Sequence, residues 1–431
     1  MKAIDQRILK LAIPSIISNI TVPLLGLVDI AIVGHLGASY YIGAIAVGTT
    51  MFSLVYWIFG FLRMGTSGMT AQAYGKNDKN ETALIFQRSL SVSLCIGIFL
   101  ICFQILLVQA MLTLIPCTPE VGRLAQTYFK ILIWGAPAVL SLYGFYGWFI
   151  GMQKSVYTMW IAILQNILNI IISATLVFAF KMKVEGVAFG TLSAQYLSFL
   201  IAIGIWITKY HHLCMYFNWQ EACCKDKITA FFHVNGNIFF RTLCIVGVNF
   251  FFTAAGAKEG TTLLAVNTLL MQFYLIYSYI IDGYAYAAEA IVGSAIGAKD
   301  KIMTRISIRA LLKWAFGVTS VFTIAYIVCG KQLIRLLTND SNVIIASQTY
   351  FYWVIFIPLA GFAAFLWDGV LVGAVKSRSM LLATLGASSV FFLLYFIFQP
   401  YLQNHALWLA FICYLFMRGA LETAPVIRLQ R

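Results

Sequence analysis

The sequence predicts an all-α polytopic membrane protein of twelve transmembrane helices, arranged as two six-helix bundles that are parallel repeats. Three observations carry this expectation: the composition, a series of apolar windows of helix length, and motifs that recur at one common shift. Of the 431 residues, 61% are hydrophobic and only 10% are charged, with a mean hydropathy of +0.88. Soluble domains carry about a quarter charged residues, so a membrane solvent follows from composition alone. Repeated runs of roughly twenty apolar residues specify helices, because barrel strands would alternate apolar and polar positions. The first run is too long for a removable signal peptide and has no small-residue cleavage site after it.

The apolar windows fall at about 9–34, 42–73, 84–112, 124–151, 156–180, 184–208, 231–256, 262–296, 306–330, 345–373, 380–401 and 405–425. The net charge of +14 raises nucleic acid or an anionic partner as possibilities. The basic residues instead gather in alternate loops, so no nucleic-acid partner is expected. Lys2, Arg7, Lys10, Lys76, Lys79, Arg88, Lys154, Lys209, Lys225, Lys227, Lys299, Lys301, Arg305, Arg309, Lys313, Lys376, Arg378, Arg428 and Arg431 share one side, with Arg63, Lys130, Arg241 and Arg418 left within spans. The other side holds the smaller set Arg123, Lys181, Lys183, Lys258, Lys331 and Arg335. Both termini are therefore expected in the cytoplasm of a bacterial-type inner-membrane protein. The nine cysteines are scattered, and the adjacent Cys223 and Cys224 suit neither a disulfide framework nor a metal site.

The longest polar connection, near Lys209–Ile228, lies between windows six and seven and suggests duplication. The string GFLRMGTSGMTAQAYGKND, ending at Gly75 and Asp78, matches DGYAYAAEAIVGSAIGAKD, ending at Gly297 and Asp300. Gly147-x-x-x-Gly151-x-x-Lys154-Ser155 matches Gly369-x-x-x-Gly373-x-x-Lys376-Ser377 at the same shift (297 − 75 = 373 − 151 = 222). Internal repeats organise transporter folds, and six spans per half is an even number, so both halves enter from the same side. The expected organisation is a bundle over 1–208, a cytoplasmic linker over 209–230 and a second bundle over 231–431. A cleft between such halves is the expected substrate path.

The first window, Leu11 to Gly37, holds Pro14, Pro23 and the single acid Asp29. A carboxylate in hydrocarbon is costly unless paired, protonated or wet, and so marks a functional site by default. Each proline frees a carbonyl of its helical donor and makes the helix easy to bend. Counting from Lys10 at 1.5 Å per residue puts Asp29 about 28 Å from the inner surface. Its counterpart at the shift is Phe251, so the acid belongs to one half only, which disfavours a passive symmetric channel.

The C-terminal half carries its own charged set, Arg241, Asp282, Glu289 and Asp368. Asp282 and Glu289, seven apart, share nearly one helix face, and Arg241 lies at a depth where a carboxylate could pair with it. Such a pair is either structural or leaves one acid free to titrate as a second proton site. Asn166 and Asn169 in window five and Thr191 in window six read as interhelical hydrogen-bond glue unless they face an acid. Arg63 in window two could snorkel, repel substrate or pair. The load of 34 Phe, 22 Tyr, 10 Trp and 13 Met permits a pliable apolar cavity for flat or cationic organic molecules. Neither an HExxH nor a GxSxG string is present, and His35, His211, His212, His233 and His405 lie at or near loops, so enzyme chemistry is not expected.

On these residues the chain resembles the multidrug and toxic compound extrusion (MATE) transporters, and within them the DinF-like branch. The resemblance rests on Pro14…Leu27-Val28-Asp29…Val33-Gly34-His35-Leu36-Gly37, on Ala71-Gln72-Ala73-Tyr74-Gly75, and on the strings Asp282–Asp300 and Trp367–Arg378. It implies two six-helix bundles around a V-shaped central cleft and export driven by inward H⁺ or Na⁺, with the first-span acid as the coupling residue on a bending helix. Asp29 and Pro14 hold those positions. The Asn and Thr that the family places near that acid match Asn169 and Thr191, whereas Ser173 stands where an Asp is often found.

A single carboxylate suits a proton better than a sodium ion, which prefers several hard oxygen ligands. The expected function is thus proton-coupled antiport of amphipathic, cationic organic compounds. A Na⁺-coupled exporter and a flippase for lipid-linked precursors are the alternatives. The expected partners are a small organic substrate and the lipid bilayer, with a monomer as the working unit. No cofactor is expected beyond the H⁺ gradient, or Na⁺ in the alternative.

Overall fold

The computed structural model describes residues 2–34, 39–115, 117–338 and 340–430. His35, Leu36 and Gly37 of the first-span motif lie outside them. Among the described residues there is no strand. In the first half the helices are α1 (Lys2–Gly34), α2 (Ser39–Ile58), α3 (Phe61–Gly75), α4 (Lys79–Cys102), α5 (Gln104–Leu114), α6 (Pro119–Leu132), α7 (Ala136–Gly151), α8 (Ser155–Ala174) and α9 (Val184–Tyr210). The short α10 (Trp219–Ala222) follows. Then come α11 (Lys225–Lys258), α12 (Thr261–Gly297), α13 (Lys301–Leu337), α14 (Ser341–Gly373), α15 (Ser377–Leu402) and α16 (Asn404–Leu429). Twelve segments of the described residues are long and apolar enough to cross a membrane. Two are built from paired helices: Tyr40–Gly75 joins α2 to α3 across Phe59 and Gly60, and Pro119–Gly151 joins α6 to α7 through a 3₁₀ turn before Pro137.

Contacts group the chain into two compact units, Met1–Ile16 with His233–Arg431, and Ile17–Phe232. The repeat assigned all of the first window to the first half by sequence likeness. By packing, α1 divides between its two prolines, although it is helical without interruption from Lys2 to Gly34.

The repeat is written into the backbone. Among the described residues, six non-glycine positions adopt positive φ: Asn77, Gln153 and Lys181, and then Lys299, Val375 and Gln403. Each of the last three stands 222 positions after one of the first three (299 against 77, 375 against 153, 403 against 181). Asp78 caps α4 by accepting from the Glu81 N–H, and Asp300 caps α13 by accepting from the Met303 N–H. A short side-chain acceptor at this position satisfies one of the orphan amides of a helix start.

The repeated Gly-x-x-x-Gly motif is a helix crossing in each unit. A Cβ on Gly147 would lie 2.3 Å from the Arg63 carbonyl oxygen of α3, and one on Gly369 would lie 2.2 Å from the Ala285 carbonyl oxygen of α12. Small residues allow this backbone approach, which is the usual basis of tight packing between apolar helices. Elsewhere aromatic rings fill the cores. Phe86 stacks on Trp206 at 4.9 Å, and Trp148 donates its indole N–H to the Thr82 carbonyl at 3.0 Å. In the other unit Phe252 meets Trp408 edge-on at 5.0 Å. The connection after α9 docks on the start of α4, where Lys227 and Arg88 both pair with Glu81 and Asn80 donates to Glu221.

Gly369→Ala is expected to lower stability by about 1–3 kcal/mol, the usual cost of overpacking. Gly204→Ala, with nothing within 4 Å of the new methyl group, is expected to be neutral or stabilising. Thermal unfolding of purified protein checks this, and equal melting of the two variants would contradict the crossing assignment.

Candidate functional site

Asp29 lies on α1 and is 2% exposed. Its Oδ2 accepts from the Tyr128 hydroxyl of α6 at 3.4 Å and from the Thr191 hydroxyl of α9 at 3.2 Å. Asn169 of α8 donates its amide to Thr191 Oγ1 at 2.8 Å and to Ser173 Oγ at 3.5 Å. Four elements therefore converge on one carboxyl through neutral groups. Among the described residues no Lys, Arg or His pairs with it, and neither Asp29 Oδ1 nor Asn169 Oδ1 accepts a hydrogen bond. Asn166, the second asparagine singled out in the sequence, bonds back to the Ala162 carbonyl of its own helix at 3.0 Å.

Local geometry explains the placement. Gly190 brings α9 against α8: a Cβ there would sit 2.1 Å from Ser173 Oγ. The next residue, Thr191, then faces Asn169. Gly48 of α2 does the same for Tyr128, since a Cβ would lie 2.4 Å from its ring. Thr191 has one hydrogen and two acceptors in reach, Asp29 Oδ2 at 3.2 Å and the Val187 carbonyl at 3.0 Å. It can therefore donate to an ionised carboxyl or turn to the backbone and accept from a protonated one.

A groove of about 400 Å³ lies between α1 and α2, lined by Ile30, Ala46, Thr49, Thr50, Ser53, Leu54 and Trp57. Ile30 adjoins Asp29 in the chain, so the helix that carries the carboxyl, α1, also lines the groove. The lining combines an exposed indole with three hydroxyls, a surface suited to a flat molecule with a polar end.

In the other unit, Arg241 of α11 pairs with Asp368 of α14, as their depths suggested. Arg418 of α16 donates to the same Asp368 oxygen at 3.2 Å and lies over the Phe365 ring at 5.3 Å. Asp282 and Glu289 stand on α12, half-buried and 1% exposed respectively. Pro14 is buried and Pro23 exposed, both inside α1, and Arg63 is half-buried in α3.

Sequence reasoning did not find three participants. Tyr128 carries no signal beyond the Tyr128-Phe129 pair, which recurs as Tyr350-Phe351 at the shift of 222. Arg418 is a basic residue within the last apolar window, and the sequence offers it no evident partner. Glu422, four residues beyond it and fully buried, was not noticed. The i, i+4 spacing of those two on an apolar helix was the available signal. No group of three or more His, Cys, Asp or Glu able to hold a metal occurs among the described residues.

Thr191→Val removes the hydroxyl that joins Asn169 to Asp29 and leaves buried polar atoms unmatched. A loss of about 1–3 kcal/mol in stability is expected, with Thr191→Ser close to the parent. Equal melting temperatures for the Val and Ser variants would count against the bridge.

The MatE family model matches residues 14–175 and again 238–397, one match in each half. The chain is 32% identical over 416 residues to DNA damage-inducible protein F of Escherichia coli, covering 96% of this chain and 90% of that protein. It is 23% identical over 376 residues to a probable multidrug resistance protein, NorM, of Halalkalibacterium halodurans, covering 84% and 80%. Among solved structures, the bent form of the Vibrio cholerae MATE transporter VcmN superposes with a TM-score of 0.87 at 16% identity, covering 100% of this chain and 98% of that one. That likeness speaks to the fold. The chain, a multi-pass membrane protein and a transporter rather than an enzyme, belongs to the MatE family of multidrug and toxin efflux transporters.

Proposed function

We propose that this protein exports amphipathic, cationic organic compounds in exchange for protons, with Asp29 as the coupling group. The observation that carries this reading is the Asp29 carboxyl: buried, bonded only by neutral donors, and without a basic partner among the described residues. An uncompensated buried charge costs several kcal/mol, so a group in this position exchanges a proton or a small cation with some other state of the protein. Substrate is taken from the cytoplasm or the inner leaflet of an inner membrane in which both termini face the cytoplasm. The working unit is a monomer.

The proposed cycle uses the Thr191 rotor. With Asp29 ionised, Thr191 and Tyr128 donate to Oδ2 and hold α1 against α6 and α9. A proton arriving from outside reverses the Asp29–Thr191 bond: the carboxyl now donates, and Thr191 turns to the Val187 carbonyl. The tie on α1 weakens, the helix bends at Pro14 and Pro23, and the groove beside Ile30 and Thr49 changes shape, releasing the substrate. Binding can shift such an equilibrium only by its differential affinity for the two states, and the proton supplies that difference at Asp29.

A sodium-coupled version of the cycle has a specific observation in its favour. Asp29 Oδ1 and Asn169 Oδ1 both lack hydrogen-bond donors, and Thr191, Ser173 and Tyr128 add further oxygens nearby. Sodium prefers such hard donors, but only one of these oxygens belongs to a carboxylate that lacks a donor, and the rotor needs only a proton.

Asp29→Asn keeps the shape and loses the ionisation. It is expected to abolish drug resistance and dye efflux in cells while membrane levels stay at those of the parent. Efflux at the parental rate would remove Asp29 from the mechanism.

A further inference from the structure

A second buried carboxyl pair, which the Asp29 cycle does not use, lies in the unit containing the C-terminal half. Glu422 on α16 is 0% exposed, and neither of its carboxyl oxygens accepts a hydrogen bond from any described residue. Asp368 on α14 takes both Arg241 and Arg418 on Oδ2, while its Oδ1 accepts nothing. Asp368 holds the Arg418 guanidinium at 3.2 Å, and Glu422 stands one turn beyond Arg418 on the same helix, so the two carboxyls approach each other around one guanidinium. Ionised carboxylates only accept, so this approach becomes a bond when one proton sits between them. Two like charges sharing a site also resist simultaneous ionisation.

Arg418 adds the second element. It stands four residues before Glu422 on the same helix, a spacing at which opposite charges meet on one face. It nevertheless donates to Asp368 across the helix interface and leaves its own-helix neighbour without a counter-ion. Its Nε, like that of Arg241, makes no hydrogen bond. A turn of the Arg418 side chain would bring it to Glu422 without moving the helix.

We propose that Asp368 and Glu422 form a second proton-binding site, with Arg418 as the group that moves when it empties. One proton shared between Asp368 Oδ1 and the Glu422 carboxyl leaves both guanidinium groups on Asp368 Oδ2. Its loss turns Glu422 into a bare acceptor, and Arg418 swings from α14 to its own helix, loosening the α14–α16 contact. The site is neutral when empty and carries one positive charge when filled. Its use in transport rests on the export reading above, whereas its existence does not.

The groups that face this site are few. Asp368, Arg418 and Arg241 act on Glu422 from α14, α16 and α11, and Tyr414 and Tyr274 face Arg418 from α16 and α12. Asp282 and Glu289 lie farther along α12. Helix α15, packed along α16, contains no carboxyl, and its Arg378 is exposed, as are Arg305 and Arg309 of α13.

Infrared spectroscopy of the purified protein across a pH titration tests the proposal, because a protonated carboxyl has its own carbonyl stretch. The spectrum of the parent minus that of Glu422→Gln is expected to contain such a band, and the band is expected to vanish as pH rises. Asp29→Asn is expected to keep it. Glu422→Asp, a second variant should Glu422→Gln misfold, is expected to retain the band and shift the pH at which it is lost. In an efflux assay Glu422→Gln is expected to pump with one ionisation step missing from its pH profile. A parent spectrum with no band dependent on Glu422 would overturn the second site, and a pH profile unchanged in Glu422→Gln would overturn its use in transport. Normal efflux by Asp29→Asn would instead overturn the export mechanism and leave the infrared result standing on its own.

Discussion

The buried Asp29 carboxyl is the constraint around which the N-terminal part of the fold is arranged. Three other helices meet α1 there, and every group they bring is neutral: Tyr128, Asn169, Ser173 and Thr191. A lysine or arginine in any of those places would have satisfied the charge permanently and left a structural ion pair. Neutral donors orient the carboxyl without neutralising it, so its charge remains to be balanced by something that can leave. The tight contacts at Gly48 and Gly190 matter for the same reason, since they let Tyr128 and Thr191 sit at hydrogen-bonding distance from Asp29.

Duplication gives each half the same scaffold with different contents. The repeated positive-φ residues, aspartate caps and glycine crossings show that the backbone design is shared. At the shift of 222, Asp29, Asn169 and Ser173 correspond to Phe251, Phe391 and Tyr395. The aromatic set also packs together, with Phe251 at 5.9 Å from Phe391 and 5.0 Å from Tyr395. One geometry thus holds a polar site in one half and a ring cluster in the other. The reverse holds for the charged cluster: Arg241, Asp368, Arg418 and Glu422 correspond to Asn19, Tyr146, Tyr196 and Leu200. Each half has specialised at a different place on a common frame.

Much of this was legible in the residues. Twelve apolar windows matched twelve helical segments because hydrocarbon forces every backbone polar group into internal hydrogen bonds. The isolated acid and the shift of 222 needed only reading along the chain. Partners across helices were harder. Tyr128 stands 99 residues from Asp29, and nothing in its own surroundings marks it as a donor. Arg418 and Glu422 lie in the last apolar window, and hydropathy does not reveal which side of a span is buried. The breaks at Phe59–Gly60 and before Pro137 merged into single windows, since a kinked pair of helices has the same composition as one long helix.

The central claim is that a proton, acting at a carboxyl with no basic partner among the described residues, drives export. Reconstituted vesicles preloaded with a fluorescent organic cation, with pH and sodium gradients imposed one at a time, test it most directly. The account predicts efflux under the pH gradient alone, at a rate independent of sodium. Efflux driven by sodium at equal pH on both sides, with none under the pH gradient, would contradict it.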